Sequence, residues 1–110
     1  MNHFSLTSIL LLFLGAFCHA REIALTFDDG PIPNVTDFVL NTLKSFDVKA
    51  TFFCIGDNIE KHPHVFKRIQ TEGHAIGNHT YNHLKGWETE DKTYLDNFWK
   101  CQELTATNLF

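Results

Sequence analysis

The order of apolar and polar positions after residue 22 predicts strands that alternate with helices. Three short apolar runs are predicted as buried strands: Ile23–Phe27, Ala50–Ile55 and His74–Asn78. Between the first two runs, apolar residues recur at the i, i+3, i+4 spacing that is typical of an amphipathic helix burying one face. The members of this apolar stripe are Val35, Phe38, Val39, Thr42, Leu43 and Phe46.

Two further helices are predicted from start and stop signals. One has Pro63 in its first turn and Gly73 as its stop, and its buried face consists of Val65, Phe66 and Ile69. The other is capped by Thr89 and runs to about Thr105. Its inward face is predicted to comprise Leu95, Phe98 and either Trp99 or Gln102. Residues 108–110 are predicted to open a fourth strand.

This alternation predicts an α/β fold in which right-handed crossovers join parallel strands. Active sites of such folds lie at the C-terminal ends of the strands. With 110 residues, the chain has the length of one small domain and about half that of a typical α/β barrel.

The first twenty residues have the features of a secretory signal. They contain no Asp, Glu, Lys or Arg, and their apolar core (residues 9–17) is too short to span a bilayer. Small residues stand at −3 and −1 before a predicted cleavage site after Ala20. A lipoprotein acylated at Cys18 and a buried apolar helix are the alternatives. We therefore predict a signal peptide (residues 1–20), a secreted, periplasmic or cell-surface location, and no stable membrane span after cleavage.

Composition and cysteine content narrow the class of protein. A hydrophobic content of 44% is that of a chain that folds, and a net charge of −4 without a Lys/Arg cluster argues against nucleic acid as a partner. Cleavage after Ala20 would leave Cys54 and Cys101. We predict a buried thiol for Cys54, with a Cys54–Cys101 disulfide as the alternative.

Two polar clusters follow predicted strands. Asp28 and Asp29 end the first strand, and His79 and His83 follow the third. Both clusters are therefore expected at one edge of the sheet. One carboxylate and two imidazoles can hold a divalent ion with a position open for water, and the other carboxylate can act as a base. The plainer interpretations are a turn at Asp28-Asp29-Gly30-Pro31 and a solvated histidine pair, which a helical turn would place on one face.

Three segments resemble the first half of a polysaccharide deacetylase domain of the NodB-homology type (carbohydrate esterase family 4). They are Thr26-Phe27-Asp28-Asp29-Gly30-Pro31, Ala50-Thr51-Phe52-Phe53 and the run from Gly73 to His83. That family includes chitin, chitooligosaccharide and peptidoglycan deacetylases. The resemblance covers residues 22–110, so residues 21–110 are expected to form the N-terminal part of such a domain. The implied fold is the first half of a distorted (β/α) barrel.

The resemblance also implies roles for the polar residues. Asp28 would be the catalytic base, Asp29, His79 and His83 would be metal ligands, and the Thr80 hydroxyl would help to hold the loop between the histidines. The mixed oxygen and nitrogen ligands suit Zn²⁺, with Co²⁺, Ni²⁺ or Mn²⁺ as substitutes. The implied reaction is hydrolysis of a non-peptide carbon–nitrogen bond, which removes acetyl groups from an N-acetylated, chitin-like or peptidoglycan-like glycan.

Family members continue after a segment like residues 108–110 into an Arg-Pro-Pro-Tyr motif, whose Arg orients the catalytic Asp. A later segment supplies a His that protonates the leaving amine. The sequence is therefore expected to be a truncated form of such an enzyme, of doubtful activity on its own.

Two other functions compete with this hypothesis. One is a non-catalytic carbohydrate- or metal-binding module derived from such an enzyme. The other is a phosphotransfer receiver that uses the Asp28-Asp29 pair, which leaves the export signal and the histidines unexplained.

Trp87 is predicted to pack in the core or at the rim, with a place in a sugar subsite as the alternative. His62 and His64 are predicted to be solvated, and His74 to be a strand-edge residue.

Overall fold

The computed structural model describes residues 22–106, which form three strands and four helices in alternation. In chain order these elements are β1 (Thr26–Gly30), α1 (Val35–Ser45), β2 (Thr51–Cys54), α2 (Gly56–Lys61), α3 (Pro63–Thr71), β3 (Ala75–Asn78) and α4 (Asp91–Ala106). The strands are parallel in the order β1-β2-β3, as the alternation predicted. The predicted signal peptide and the predicted fourth strand lie outside the described residues.

The core lies between the sheet and the helices. Phe52 at the centre of β2 is 2% exposed and stacks on Phe27 of β1, with ring centroids 5.3 Å apart. The buried residues packed around Phe52 are Leu40, Leu43, Ala50, Cys54, Ile59, Phe66 and Ile69. This cluster fixes the middle strand, whose C-terminal end lies beside the two predicted polar clusters.

The first strand lies about three residues later than predicted. Its pairing begins at Thr26, opposite Thr51, whereas Ile23 is 84% exposed and belongs to no strand. The strand also continues through the polar Asp28 and Asp29 to Gly30, because Gly30 still pairs with Cys54 of β2. Apolar content therefore gave the wrong limits for a strand whose C-terminal part is polar.

The helix predicted after β1 is confirmed, but its predicted buried face is only partly correct, since Leu43 is buried and Val39 packs against the core. Thr36, Leu40 and Leu43 are buried, whereas Phe38 and Phe46 are 70% and 75% exposed. The buried face of α1 consists of Thr36, Leu40 and Leu43, and it lies along one edge of the predicted apolar stripe. All members of the stripe except Val35 line an open apolar groove of about 420 Å³, together with Leu25, Phe27 and Val48.

The helix predicted from Pro63 is confirmed, with Val65, Phe66 and Ile69 buried. Gly73 ends it as predicted, since its φ of 79° is one that glycine adopts without a Cβ clash. The sequence analysis did not find the short helix α2. Its one buried apolar side chain, Ile59, is too little to produce a periodic pattern.

The last described helix is confirmed, but it begins at Asp91, so Thr89 does not cap it, and the Thr89 hydroxyl donates to the Lys85 carbonyl instead. Part of its predicted inward face is also wrong. Leu95 and Trp99 are 53% and 60% exposed, whereas Cys101 is fully buried. The Cys101 thiol donates to the carbonyl oxygen of Cys54 at 3.4 Å, so this face of α4 packs on the end of β2. Cys54 and Cys101 are free thiols, and burial raises the pKa of Cys54 to about 12. Among residues 22–106, no helix is both long enough and apolar enough to cross a membrane.

Candidate metal centre

Three of the predicted site residues meet at the C-terminal edge of the sheet. The Nε2 atoms of His79 and His83 each lie 3.2 Å from Oδ1 of Asp29. One possible ligand atom from each residue lies within 4.8 Å of the others. The two clusters predicted from separate parts of the sequence therefore converge.

A bulge in β1 positions Asp29. Phe27 pairs with Phe52 and Gly30 with Cys54, so Asp28 and Asp29 together stand opposite a single residue of β2. Asp29 has a φ of 66°, a left-handed conformation that Asp adopts more readily than most residues. Its carbonyl oxygen accepts a hydrogen bond from Nδ2 of Asn58 at 2.8 Å. The bulge and this bond direct the Asp29 side chain out of the regular alternation of the strand.

The histidines lie on a loop and not on a helical turn. The N–H of His79 donates to the Cys54 carbonyl at 3.0 Å, which extends the β2–β3 ladder by one bond. Thr80 and His83 then adopt left-handed φ values of 60° and 56°. These two bends bring the imidazoles together, with ring centroids 4.9 Å apart. We call residues 79–83 the histidine loop.

The left-handed Thr80 needs support from its surroundings, because such a conformation costs a β-branched residue about 1–3 kcal/mol. Its N–H donates to Oδ1 of Asn78 at 2.8 Å, and its Oγ1 accepts from the N–H of Leu84 at 3.0 Å. Its carbonyl oxygen accepts from the N–H of Gly56 at 3.0 Å. The Thr80 side chain thus spans the histidine loop, as the resemblance implied.

Helices α2 and α4 hold the middle of the histidine loop from two sides. The N–H of Asp57 donates to the Tyr81 carbonyl at 3.0 Å. A Cβ on Gly56 would lie 2.6 Å from the Tyr81 ring, so a side chain there would displace the loop. From α4, Oδ1 of Asn97 accepts from the N–H groups of Tyr81 and Asn82 at 2.7 and 2.9 Å. The sequence analysis missed Asn97, although an Asn within a helix is an unfavourable choice that often has a specific reason.

The donor set fits a divalent metal ion. Zinc bonds to His nitrogen and carboxylate oxygen are about 2.0–2.2 Å long, which places the ligand atoms of a tetrahedral site about 3.3 Å apart. The two Nε2–Oδ1 separations of 3.2 Å match that spacing. The side chains of Asp29 and His83 are 55% and 54% exposed, so one side of the group is open to solvent and to a substrate.

Asp28 lies on β1 beside Asp29, is exposed, and is not one of the three converging residues. Within residues 22–106, no group forms a hydrogen bond or an ion pair with its carboxylate. His64 is exposed on α3, as predicted, and His62 is half-buried. His74 lies just before β3 and is 8% exposed, and its Nδ1 accepts from the N–H of Ala50 at 3.2 Å. Its burial lowers the pKa of His74.

A cavity of about 380 Å³ lies beside the histidine loop. His79, His83, Trp87, Tyr94 and Phe98 are among the residues that line it. Trp87 is 82% exposed, so the prediction that it packs in the core is wrong, and it instead lines this cavity at the protein surface. Its Nε1 donates to Oε1 of Glu88 at 3.2 Å, and most of the ring surface is open to solvent.

Comparison with known proteins gives a consistent result. The polysaccharide deacetylase family model matches residues 18–108. A peptidoglycan-N-acetylglucosamine deacetylase of Bacillus cereus is 48% identical over 83 residues, which cover 76% of this chain and 30% of that protein. The chain thus spans about a third of the length of this curated relative.

Solved structures agree. The crystal structure of the Bc1960 peptidoglycan N-acetylglucosamine deacetylase superimposes with a TM-score of 0.76 at 46% identity, over 78% of this chain and 40% of that one. A family 4 acetyl xylan esterase from Clostridium thermocellum, in complex with a cobalt ion, gives a TM-score of 0.70 at 29% identity, over 76% and 42% of the two chains. The described residues therefore have the fold of one part of these distorted barrels, and the chain belongs to the polysaccharide deacetylase family.

Proposed function

We propose that the protein is a metal-dependent hydrolase that removes acetyl groups from an N-acetylated glycan. In this proposal Asp29, His79 and His83 hold the ion and Asp28 is the catalytic base. The observation that carries the proposal is the convergence of the three ligand-capable side chains at the edge of the sheet where Asp28 also lies. Membership of a family with relatives named as deacetylases supports it.

The ion would polarise the acetyl carbonyl and increase the acidity of the attacking water. Asp28 is next to the proposed ligand Asp29 and is exposed, so in this proposal its carboxylate contacts the attacking water. The carboxylate of Asp28 would accept a proton from that water as its oxygen bonds to the acetamide carbon. The C–N bond would then break, with the proton passing to the departing sugar amine and acetate as the other product. Asp29, as a ligand, has no free role in proton transfer.

The donor set favours zinc, with cobalt, nickel or manganese as substitutes. One carboxylate oxygen and two imidazole nitrogens are ligands that Zn²⁺, Co²⁺ and Ni²⁺ accept in proteins, whereas Mg²⁺ and Ca²⁺ prefer oxygen. The cobalt ion in the Clostridium thermocellum esterase supports a transition metal.

The substrate in this proposal is a chitin-like or peptidoglycan-like glycan outside the cell. The peptidoglycan named in the description of the Bacillus cereus relative supports that class of substrate. Export would follow from removal of residues 1–20 as a signal peptide, which the sequence predicts. After this cleavage the protein would act as a secreted, periplasmic or cell-surface protein.

Hydrolysis of two acetyl compounds in the presence of Zn²⁺ or Co²⁺ tests the proposal. An acetyl ester of a nitrophenol tests the base and the ion, since a phenolate leaves without a proton donor. A soluble N-acetylated chitooligosaccharide tests the amide reaction. Asp28→Asn is expected to abolish turnover and to leave cobalt binding unchanged.

The outcomes separate the proposed hydrolase from a binding module. Metal-dependent turnover that Asp28→Asn abolishes supports the hydrolase. A wild-type protein that binds cobalt or the glycan but hydrolyses neither compound supports a non-catalytic module. Turnover that survives both chelation and Asp28→Asn contradicts the assigned roles.

A further inference from the structure

We propose that Asn97 on α4 is the positioning residue that keeps the histidine loop in the shape that brings His79 and His83 together. The part of this inference that concerns a metal rests on the proposed function. The part that concerns the loop stands on hydrogen bonds alone. Asn97 lies outside the three segments that resemble the deacetylases, fourteen positions beyond His83.

Three hydrogen bonds join the Asn97 amide to Tyr81 and Asn82, two of the three residues between the histidines. Its Oδ1 accepts from the N–H of Tyr81 at 2.7 Å and from the N–H of Asn82 at 2.9 Å. Its Nδ2 donates to Oδ1 of Asn82 at 3.0 Å. One half-buried side chain therefore satisfies both consecutive backbone donors at the top of the loop.

The loop has little regular structure that would hold it otherwise. Thr80 and His83 lie on either side of the bonded pair and both have left-handed φ values. The N-terminal residues of α2 bind the loop through the carbonyl groups of Thr80 and Tyr81. Asn97 binds the opposite side, through N–H groups. Without it the two amides would turn toward water and His83 would lose its fixed distance from His79.

Helix α4 is a rigid support for such a contact. It is sixteen residues long, and its Cys101 packs on the end of β2 through the 3.4 Å contact with the Cys54 carbonyl. On the same helix the Phe98 carbonyl accepts from Nδ2 of Asn78, the last residue of β3. The helix is thus held to the C-terminal ends of β2 and β3, and the hydrogen bonds of Asn97 fix the loop to this helix.

Supporting hydrogen bonds around metal ligands are typically worth 10–100-fold in metal affinity. We expect Asn97→Ala to weaken Co²⁺ binding by about that factor. Alanine favours helix, so the variant keeps α4 intact. Asn97→Asp keeps an oxygen acceptor for both N–H groups and should restore most of the affinity. Asp96→Ala, the neighbouring exposed position, is the matched control.

The experiment combines two measurements on the full 110-residue protein. Backbone hydrogen exchange of the metal-free protein reports the Tyr81 and Asn82 amides directly, and optical titration with Co²⁺ reports the affinity. We expect both amides to be protected in the wild type, in Asn97→Asp and in Asp96→Ala, and to exchange rapidly in Asn97→Ala. The cobalt affinity should follow the same order.

Three results would overturn the proposal. The first is unchanged exchange of Tyr81 and Asn82 in Asn97→Ala, and the second is an unchanged cobalt affinity of that variant. The third is an equal loss in Asp96→Ala, which would indicate a general effect on the helix. A wild-type protein that binds no cobalt refutes the proposed metal centre instead, and hydrogen exchange still decides the positioning role.

Discussion

Removal of one imidazole from the candidate metal centre gives a direct test of the ligand assignment. His83→Ala deletes one of the three groups that converge within 4.8 Å. Its side chain is 54% exposed and lies on a loop, so its loss should leave the core intact. The expected effect is a large loss of metal affinity with little change in the melting temperature of the metal-free protein.

The magnitude follows from the number of ligands. Structural zinc sites with four ligands bind with apparent free energies of about 10–16 kcal/mol, or about 3 kcal/mol for each ligand. At about 1.4 kcal/mol for each factor of ten, loss of one ligand weakens binding about 100-fold. His79 lies at the same 3.2 Å distance from Asp29, so His79→Ala should have an effect at least as large.

Isothermal titration of the metal-free protein with Zn²⁺ measures these affinities. His64→Ala is the matched control, because His64 is exposed on α3 and does not belong to the group. Equal weakening by His64→Ala and His83→Ala would mean that zinc binds to surface histidines in general. An affinity of His83→Ala within a few-fold of the wild type would remove His83 from the site.

Three further predictions concern the core, a buried histidine and the cavity beside the site. Leu40→Ala should lower the free energy of unfolding by about 2–5 kcal/mol, and Phe38→Ala by less than about 0.5 kcal/mol, in urea denaturation. This follows because Leu40 is 0% and Phe38 70% exposed. Burial lowers the pKa of His74, so it opposes protonation in the folded protein. The stability that the folded protein gains from keeping His74 neutral is fully present above pH 6.5, the pKa of His74 in the unfolded chain. It is lost as the pH falls below that value. Unfolding of the wild type at pH 8 and pH 5 should therefore differ more than unfolding of His74→Asn, which keeps an acceptor for the Ala50 N–H; equal differences would contradict this. Trp87→Ala should weaken binding of an N-acetylated oligosaccharide about tenfold, the value of an aromatic contact, and leave cobalt binding unchanged. Unchanged glycan binding would remove Trp87 from the substrate site.

The sequence predicted the three strands, the three longer helices and the meeting of the two polar clusters, but not the short helix α2. These predictions follow from local signals combined with one topological rule, since residues after consecutive parallel strands share an edge. The Asp28-Asp29 pair and the two histidines could be placed at one edge on that basis alone, whereas the choice of Asp29 as the ligand came from the resemblance to the deacetylases.

The predictions that were wrong concern features that depend on contacts between residues far apart in the sequence. The buried face of α1 is set by where β2 lies, so Leu40 is buried and Phe38 is exposed despite a regular apolar stripe. The histidines suggested a helical turn by their spacing. The bond that the Gly56 N–H donates to the loop and the bond that Oδ1 of Asn97 accepts from it instead select a loop with two left-handed residues. No pattern within residues 79–83 specifies partners that lie on other helices.

The bulge in β1 makes the number of residues in this segment as important as their identity. Asp28 and Asp29 stand opposite one residue of β2, so the strand has one residue more than regular pairing needs. Deletion of a single residue there would restore the alternation of the pleat and change the side of the sheet that the remaining carboxylate faces. A transplanted site on another parallel sheet would therefore have to include the irregular strand together with the three side chains. Protein engineers should treat the inserted residue as part of the candidate metal centre.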